Sequence, residues 1–193
     1  MENASKEKIW NVPNVLTMIR LALIPVYIYV FIKGSKTQAL GVFLVASFTD
    51  LLDGQIARKY HLVTDFGKIA DPLADKLMVT TVLLSQVVAG VLPTIAVILV
   101  AIKEALLLLG GLYLLRKKLV VPSKFIGKVA QVMFIASLFL SFFSSYFIEK
   151  GYSLHLLFLW ISVGLSYCAL FYYSYNAFLL IKQVKGTKAI TKD

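Results

Sequence analysis

Apolar residues fill this chain in long runs, each near or above the roughly 20 residues that cross a bilayer as a helix, with short polar links between them. The runs predict six spans: residues 15–32, 40–57, 72–88, a fourth from the turn marked by Gly90 and Pro93 to 115, then 125–148 and 154–181. Pro13 stands just ahead of the first, where a helix start tolerates proline because an N–H there would have no helical partner. Before it, Lys6, Lys8, Ile9 and Trp10 predict a short interfacial segment with the indole at headgroup level. The first ten residues lack a signal-peptide pattern, and no repeat of about 20–50 residues is evident. The expectation is an all-α integral membrane protein, with six transmembrane helices and a short N-terminal interfacial segment forming one domain over residues 1–193.

Composition strengthens this picture, since 59% of the residues are apolar and only 16% charged, far from a soluble globular mixture. Lipid is the expected solvent. A net charge of +10 would suggest nucleic acid in a soluble chain. Here the basic residues sit between and after the spans, the pattern of anchoring to anionic headgroups, and no nucleic-acid partner is expected. One side of the membrane collects Lys6, Lys8, Arg58, Lys59, Lys68, Arg116, Lys117, Lys118, Lys124, Lys128 and lysines 182, 185, 188 and 192; the other has Lys33, Lys36 and Lys150. With six spans the rich side holds both termini and the link 58–71, and the positive-inside rule makes it cytoplasmic. Cys168 is the only cysteine, which excludes an internal disulfide and a cysteine metal cage; it is expected to pack between helices.

Acidic residues are unevenly placed. Four of the ten are Asp50, Asp53, Asp71 and Asp75, at the cytoplasmic halves of spans two and three. A charge at the centre of a membrane helix costs about 2.5–3.5 kcal/mol on insertion scales, so each requires a reason. Residues three or four apart share a helix face, so the four form two pairs, and the short link between the spans brings the pairs together. Such carboxylates repel unless cations compensate them. Two divalent ions would do so, and oxygen ligands suit Mg²⁺ or Mn²⁺, which as a pair can clamp a phosphoryl group. The alternative is that the aspartates cap helices or pair with Arg58, Lys68 and Lys76. Gly54, Ala57 and Gly67 keep the carboxylate faces free of bulk, either for a large substrate or for close helix packing. Arg58 ends the helix where a guanidinium can grip phosphate oxygens.

Read as Asp50-x-x-Asp53-Gly54-x-x-Ala57-Arg58, eight residues, then Gly67-x-x-x-Asp71-x-x-x-Asp75, the segment resembles the signature of the CDP-alcohol phosphotransferase family, with every defining position filled. The resemblance implies a six-helix membrane enzyme, often a homodimer, that moves a phosphatidyl or similar group from a CDP-linked donor to an alcohol and releases CMP. It implies that Asp50, Asp53, Asp71 and Asp75 hold the metals, and that Asp75 also acts as the base on the acceptor hydroxyl. Gly54, Ala57, Arg58 and Thr64 would contact the CDP part, with Gly67 on the same surface. The opening Pro13-Asn14-x-x-Thr17-x-x-Arg20 is similar to bacterial members that use CDP-diacylglycerol, which places Asn14 and Thr17 in the donor pocket; the alternative for Asn14 is a cap on span one.

Thr64-Asp65-Phe66-Gly67-Lys68 and Asp71-Pro72-Leu73-Ala74-Asp75-Lys76 resemble the subgroup that makes phosphatidylglycerophosphate, and also cardiolipin synthases. Glycerol 3-phosphate is the first acceptor expected and phosphatidylglycerol the alternative. A dianionic acceptor needs basic groups, and the candidates are Lys103, Arg116, Lys124 and Lys128. The chain departs from the subgroup at two places: an expected Arg-Glu reads Lys103-Glu104, and an expected Gly-Lys-x-Lys-Thr reads Gly127-Lys128-Val129-Ala130-Gln131. Lys103 with Glu104 also reads as an internal ion pair, and the other lysines as topology determinants. No chemistry is expected of His61, His155, Trp160 or the tyrosines of span six. Intramembrane acids also mark cation transporters, but the one-sided cluster and the absence of an inverted repeat argue against transport.

Overall fold

The computed structural model describes residues 11–60, 64–117, 119 and 125–190; for residues 51, 53–59, 65, 68, 69, 115 and 183–190 it describes the backbone alone. Seven α-helices and no strand are found among the described residues: α1 Val12–Ile32, α2 Lys36–Lys59, α3 Asp65–Val88, α4 Thr94–Arg116, α5 Phe125–Ser141, α6 Ser144–Glu149 and α7 Leu154–Ile190. The interfacial segment expected at Lys6–Trp10 lies outside the described residues. Three helices are long and apolar enough to cross a membrane, over Val12–Ile32, Thr94–Leu114 and Leu154–Lys182, and α5 is a shorter apolar helix. The chain falls into two compact units, Met1–Ala89 and Gly90–Asp193.

In the first unit α1 packs against both α2 and α3. Asn11, not Asn14, caps α1: its side chain accepts the Asn14 N–H at 2.9 Å, which answers a donor with no helical partner. Asn14 is thereby released from the capping role considered for it and turns inward. Helix α3 begins seven residues before the expected 72, because Thr64 caps it by accepting the Gly67 N–H at 3.0 Å. Pro72 is consequently inside the helix rather than at its start, and the Asp71 and Asp75 carboxylates both project from its body. Tyr27 is fully buried, with its hydroxyl 2.7 Å from that of Ser85.

In the second unit α5 and α4 each pack on α7. At Gly127 a Cβ would stand 3.0 Å from the Tyr173 hydroxyl, so the glycine admits that ring. The Tyr167 hydroxyl donates to the Leu99 carbonyl at 2.9 Å, and that of Ser137 to the carbonyl of buried His155 at 2.7 Å. The run 125–148, expected as one span, breaks after Ser141. The Ser141 hydroxyl takes the Leu138 carbonyl at 2.6 Å, and the Phe142 N–H bonds Phe139 instead, a tightened turn that ends the helix. Cys168 is exposed, not packed between helices as expected.

Burial departs from that of a soluble protein: Ser137, Ser141, Ser162, His155 and Gln86 are buried beside Tyr27, Phe43, Leu138 and Leu159, while Leu109 is 66% and Phe171 81% exposed. Lipid tails are as apolar as leucine, so large apolar residues can face outward and small and polar ones can share the packing. Lysines lie over tyrosines one turn earlier at three helix ends: Lys33 over Tyr29, Lys117 over Tyr113 and Lys150 over Tyr146, at 5.6, 4.5 and 4.5 Å from the ring centroids. Such amphipathic pairs suit the headgroup layer.

Candidate active site

The aspartates meet polar side chains of α1. Asn14, Thr17 and Arg20 are all buried, although α1 is otherwise an apolar helix. Arg20 is 1% exposed and places Nη1 3.0 Å from Oδ1 of Asp50, whose side chain is 39% exposed. The Thr17 hydroxyl donates to Oδ1 of Asp71 and also lies 3.1 Å from the Pro13 carbonyl. The Asn14 amide brackets the Thr64 hydroxyl, with Nδ2 at 3.0 Å and Oδ1 at 3.1 Å. The carboxylates of Asp50 on α2 and Asp71 on α3 are thus each tied to a residue of α1, and the two residues are one turn apart.

Gly67 is required by this arrangement. A Cβ there would come within 2.8 Å of Asn14 Oδ1 and 3.2 Å of Thr64 Oγ1, and 3.6 Å from Asp71 Oδ2. The close approach at this glycine is made by α1 itself, the helix-packing alternative for a small residue. Asp75 is half-buried one turn after Asp71, so both carboxylates share a face of α3. The side chains of Asp53, Gly54, Ala57 and Arg58 lie outside the described residues, as do Lys124 and His61.

Asp50, Asp71 and Asp75 offer oxygen donors only, half-exposed and with Arg20 paired to Asp50, a set whose chemistry fits a hard divalent cation and not a thiophilic one. Among the described residues no group of three or more histidine, cysteine, aspartate or glutamate side chains is placed to hold a metal ion.

In the second unit Lys103 reaches Glu104 at 2.7 Å, forming the internal pair considered for it. Arg116 and Lys128 are exposed. The residue with no role assigned from sequence is Arg20. Its signal was available: a guanidinium inside an apolar run is costly in lipid and requires a partner.

The model of the family described as CDP-alcohol phosphatidyltransferase matches residues 10–168. A CDP-diacylglycerol–glycerol-3-phosphate 3-phosphatidyltransferase of Rickettsia felis is 42% identical over 124 residues, covering 62% of this chain and 67% of that protein. The enzyme of the same name from Bacillus subtilis is 34% identical over 149 residues, 68% of this chain and 77% of the relative. A cardiolipin synthase (CMP-forming) of Rattus norvegicus is 34% identical over 120 residues, 62% of this chain and 40% of its own. The matched region contains α1 with Asn14, Thr17 and Arg20 as well as the whole segment from Asp50 to Asp75, and the chain belongs to the CDP-alcohol phosphatidyltransferase family.

Proposed function

We propose that the chain transfers a phosphatidyl group from CDP-diacylglycerol to glycerol 3-phosphate, giving phosphatidylglycerophosphate and CMP. The observation that carries this reading is the joining of Asp50 and Asp71, from two helices, to adjacent turns of α1 within the family signature. Relatives named for that reaction support the donor and the first-choice acceptor.

In this reading Asp50, Asp53, Asp71 and Asp75 hold two divalent cations, Mg²⁺ or Mn²⁺, which when bound neutralise the diphosphate and the charge on departing CMP. Asp75 accepts the proton of the acceptor hydroxyl as its oxygen attacks the phosphorus next to the lipid; the bond from that phosphorus to the CMP oxygen breaks, and CMP leaves with the electron pair. Arg58, Gly54 and Ala57 receive the CDP part, beside Thr64 and Gly67, whose inner side meets Asn14 of α1. Lys103, Arg116, Lys124 and Lys128 are the groups assigned to the acceptor phosphate. Six spans would hold the donor's acyl chains in the bilayer of the cell membrane, with the site and both termini cytoplasmic and the enzyme a homodimer.

Phosphatidylglycerol is the second acceptor considered, because a cardiolipin synthase is also among the relatives. Purified enzyme given labelled CDP-diacylglycerol, Mg²⁺ and each acceptor in turn separates the two. Phosphatidylglycerophosphate and CMP are expected with glycerol 3-phosphate, and neither after chelation. Product from phosphatidylglycerol alone would replace this reading by the cardiolipin one.

A further inference from the structure

Asn14, Thr17 and Arg20 recur at every third position of α1, so their side chains leave one face of the helix. Each holds a different group: Asn14 the Thr64 hydroxyl that caps α3, Thr17 the Asp71 carboxylate, and Arg20 the Asp50 carboxylate. A residue lining a nucleotide pocket presents its polar atoms to the ligand. The Asn14 amide and the Thr17 hydroxyl direct theirs to protein groups, Arg20 forms an ion pair with Asp50, and all three are buried.

Resting on the carboxylate centre proposed above, we infer that Thr17 and Arg20 are positioning residues that set the separation of the Asp50 and Asp71 carboxylates, not contacts to the donor. Two carboxylates on neighbouring helices repel and would swing apart before any cation arrives. The two tethers act differently. Thr17 supplies a neutral hydroxyl, which orients Asp71 and leaves its full charge for a cation. Arg20 supplies a whole positive charge inside the helix packing, where little water screens it, and so restrains the more exposed Asp50. Because both tethers spring from one rigid helix, the α2 and α3 carboxylates are held to a single template.

The test uses the full chain in detergent, with T17V, T17S, R20M and R20K. Mn²⁺ binding is followed by the paramagnetic resonance of the free ion, and the KM for CDP-diacylglycerol is measured by CMP release at saturating Mn²⁺. T17V and R20M are expected to weaken Mn²⁺ binding about 10–100-fold while the donor KM stays at its wild-type value. T17S restores binding, and R20K, which keeps the charge that pairs with Asp50, binds Mn²⁺ more tightly than R20M. A raised donor KM with unchanged Mn²⁺ affinity makes these residues donor contacts and overturns the inference. So does R20K with a raised donor KM and wild-type Mn²⁺ affinity, which decides the matter even if R20M or T17V fails to fold. A wild-type chain that neither binds Mn²⁺ nor releases CMP removes the carboxylate centre itself and this inference with it; an active, Mn²⁺-binding wild type matched by all four variants removes the inference alone.

Discussion

In the proposed mechanism Asp75 both accepts the hydroxyl proton and helps hold the cations, and replacing one of its oxygens weakens both. Asparagine keeps its shape and cannot accept the proton of an attacking hydroxyl. Asp75→Asn is therefore expected to lower CMP release by about 10²–10⁴-fold, with the melting temperature and donor binding retained. A variant turning over near the wild-type rate would place the base elsewhere. The four aspartates were conspicuous in the sequence because charge is rare in lipid-facing segments. Their partners were not. Thr17 was placed in the donor pocket by resemblance, and that its hydroxyl bonds Asp71 follows only from how α1 lies against α3. Arg20 was equally visible as a charge, yet a linear reading offered Arg58, Lys68 and Lys76 as cations for the acids, all closer in sequence than the one that pairs with Asp50.

At the scale of elements, apolar run lengths located the helices and missed where hydrogen bonds begin or end them. Helix α3 starts at Asp65 because Thr64 caps it, a signal hidden by the charged residues that precede Pro72. The fifth run contains no proline, and glycine only at 127, so its break after Ser141 could not be read from helix breakers; it is marked by the tightened backbone bonds of Phe142 to Phe139 and Phe143 to Leu140. Contact between α1 and α3 depends on the missing side chain at Gly67. A methyl group would meet Asn14 Oδ1 at 2.8 Å, too close for a real carbon, and Asn14 is fixed by Thr64. Gly67→Ala is expected to force the two helices apart at this point and to cost about 1–3 kcal/mol. A lower melting temperature in detergent checks it, and unaltered stability would show that Asn14 can rotate away at no cost.

Across the molecule, the proposed orientation rests on lysine placement and is open to direct test. In a background where Cys168 is replaced by serine, single cysteines at Lys36 and Lys150 are expected to react with an impermeant maleimide in intact cells. Cysteines at Lys117 and Lys182 should react only after permeabilisation. Labelling of Lys117→Cys from outside would invert the proposed topology. The all-helical, membrane-capable character was legible because it needs only run length, and three described helices are long and apolar enough to cross a bilayer, whereas the inside of each unit was not, since no run length says which serine turns inward. The serines inside the helix packing have a bearing on which substitutions the chain can accumulate. Interchange of leucine, isoleucine, valine and phenylalanine on the outer surfaces leaves the solvation by lipid nearly unchanged, so those positions are free to drift. Exchanging Ser137, Ser141 or Ser162 for a bulkier apolar residue, a substitution that hydropathy alone would favour, would wedge the helices open, and natural variation should spare the serines first.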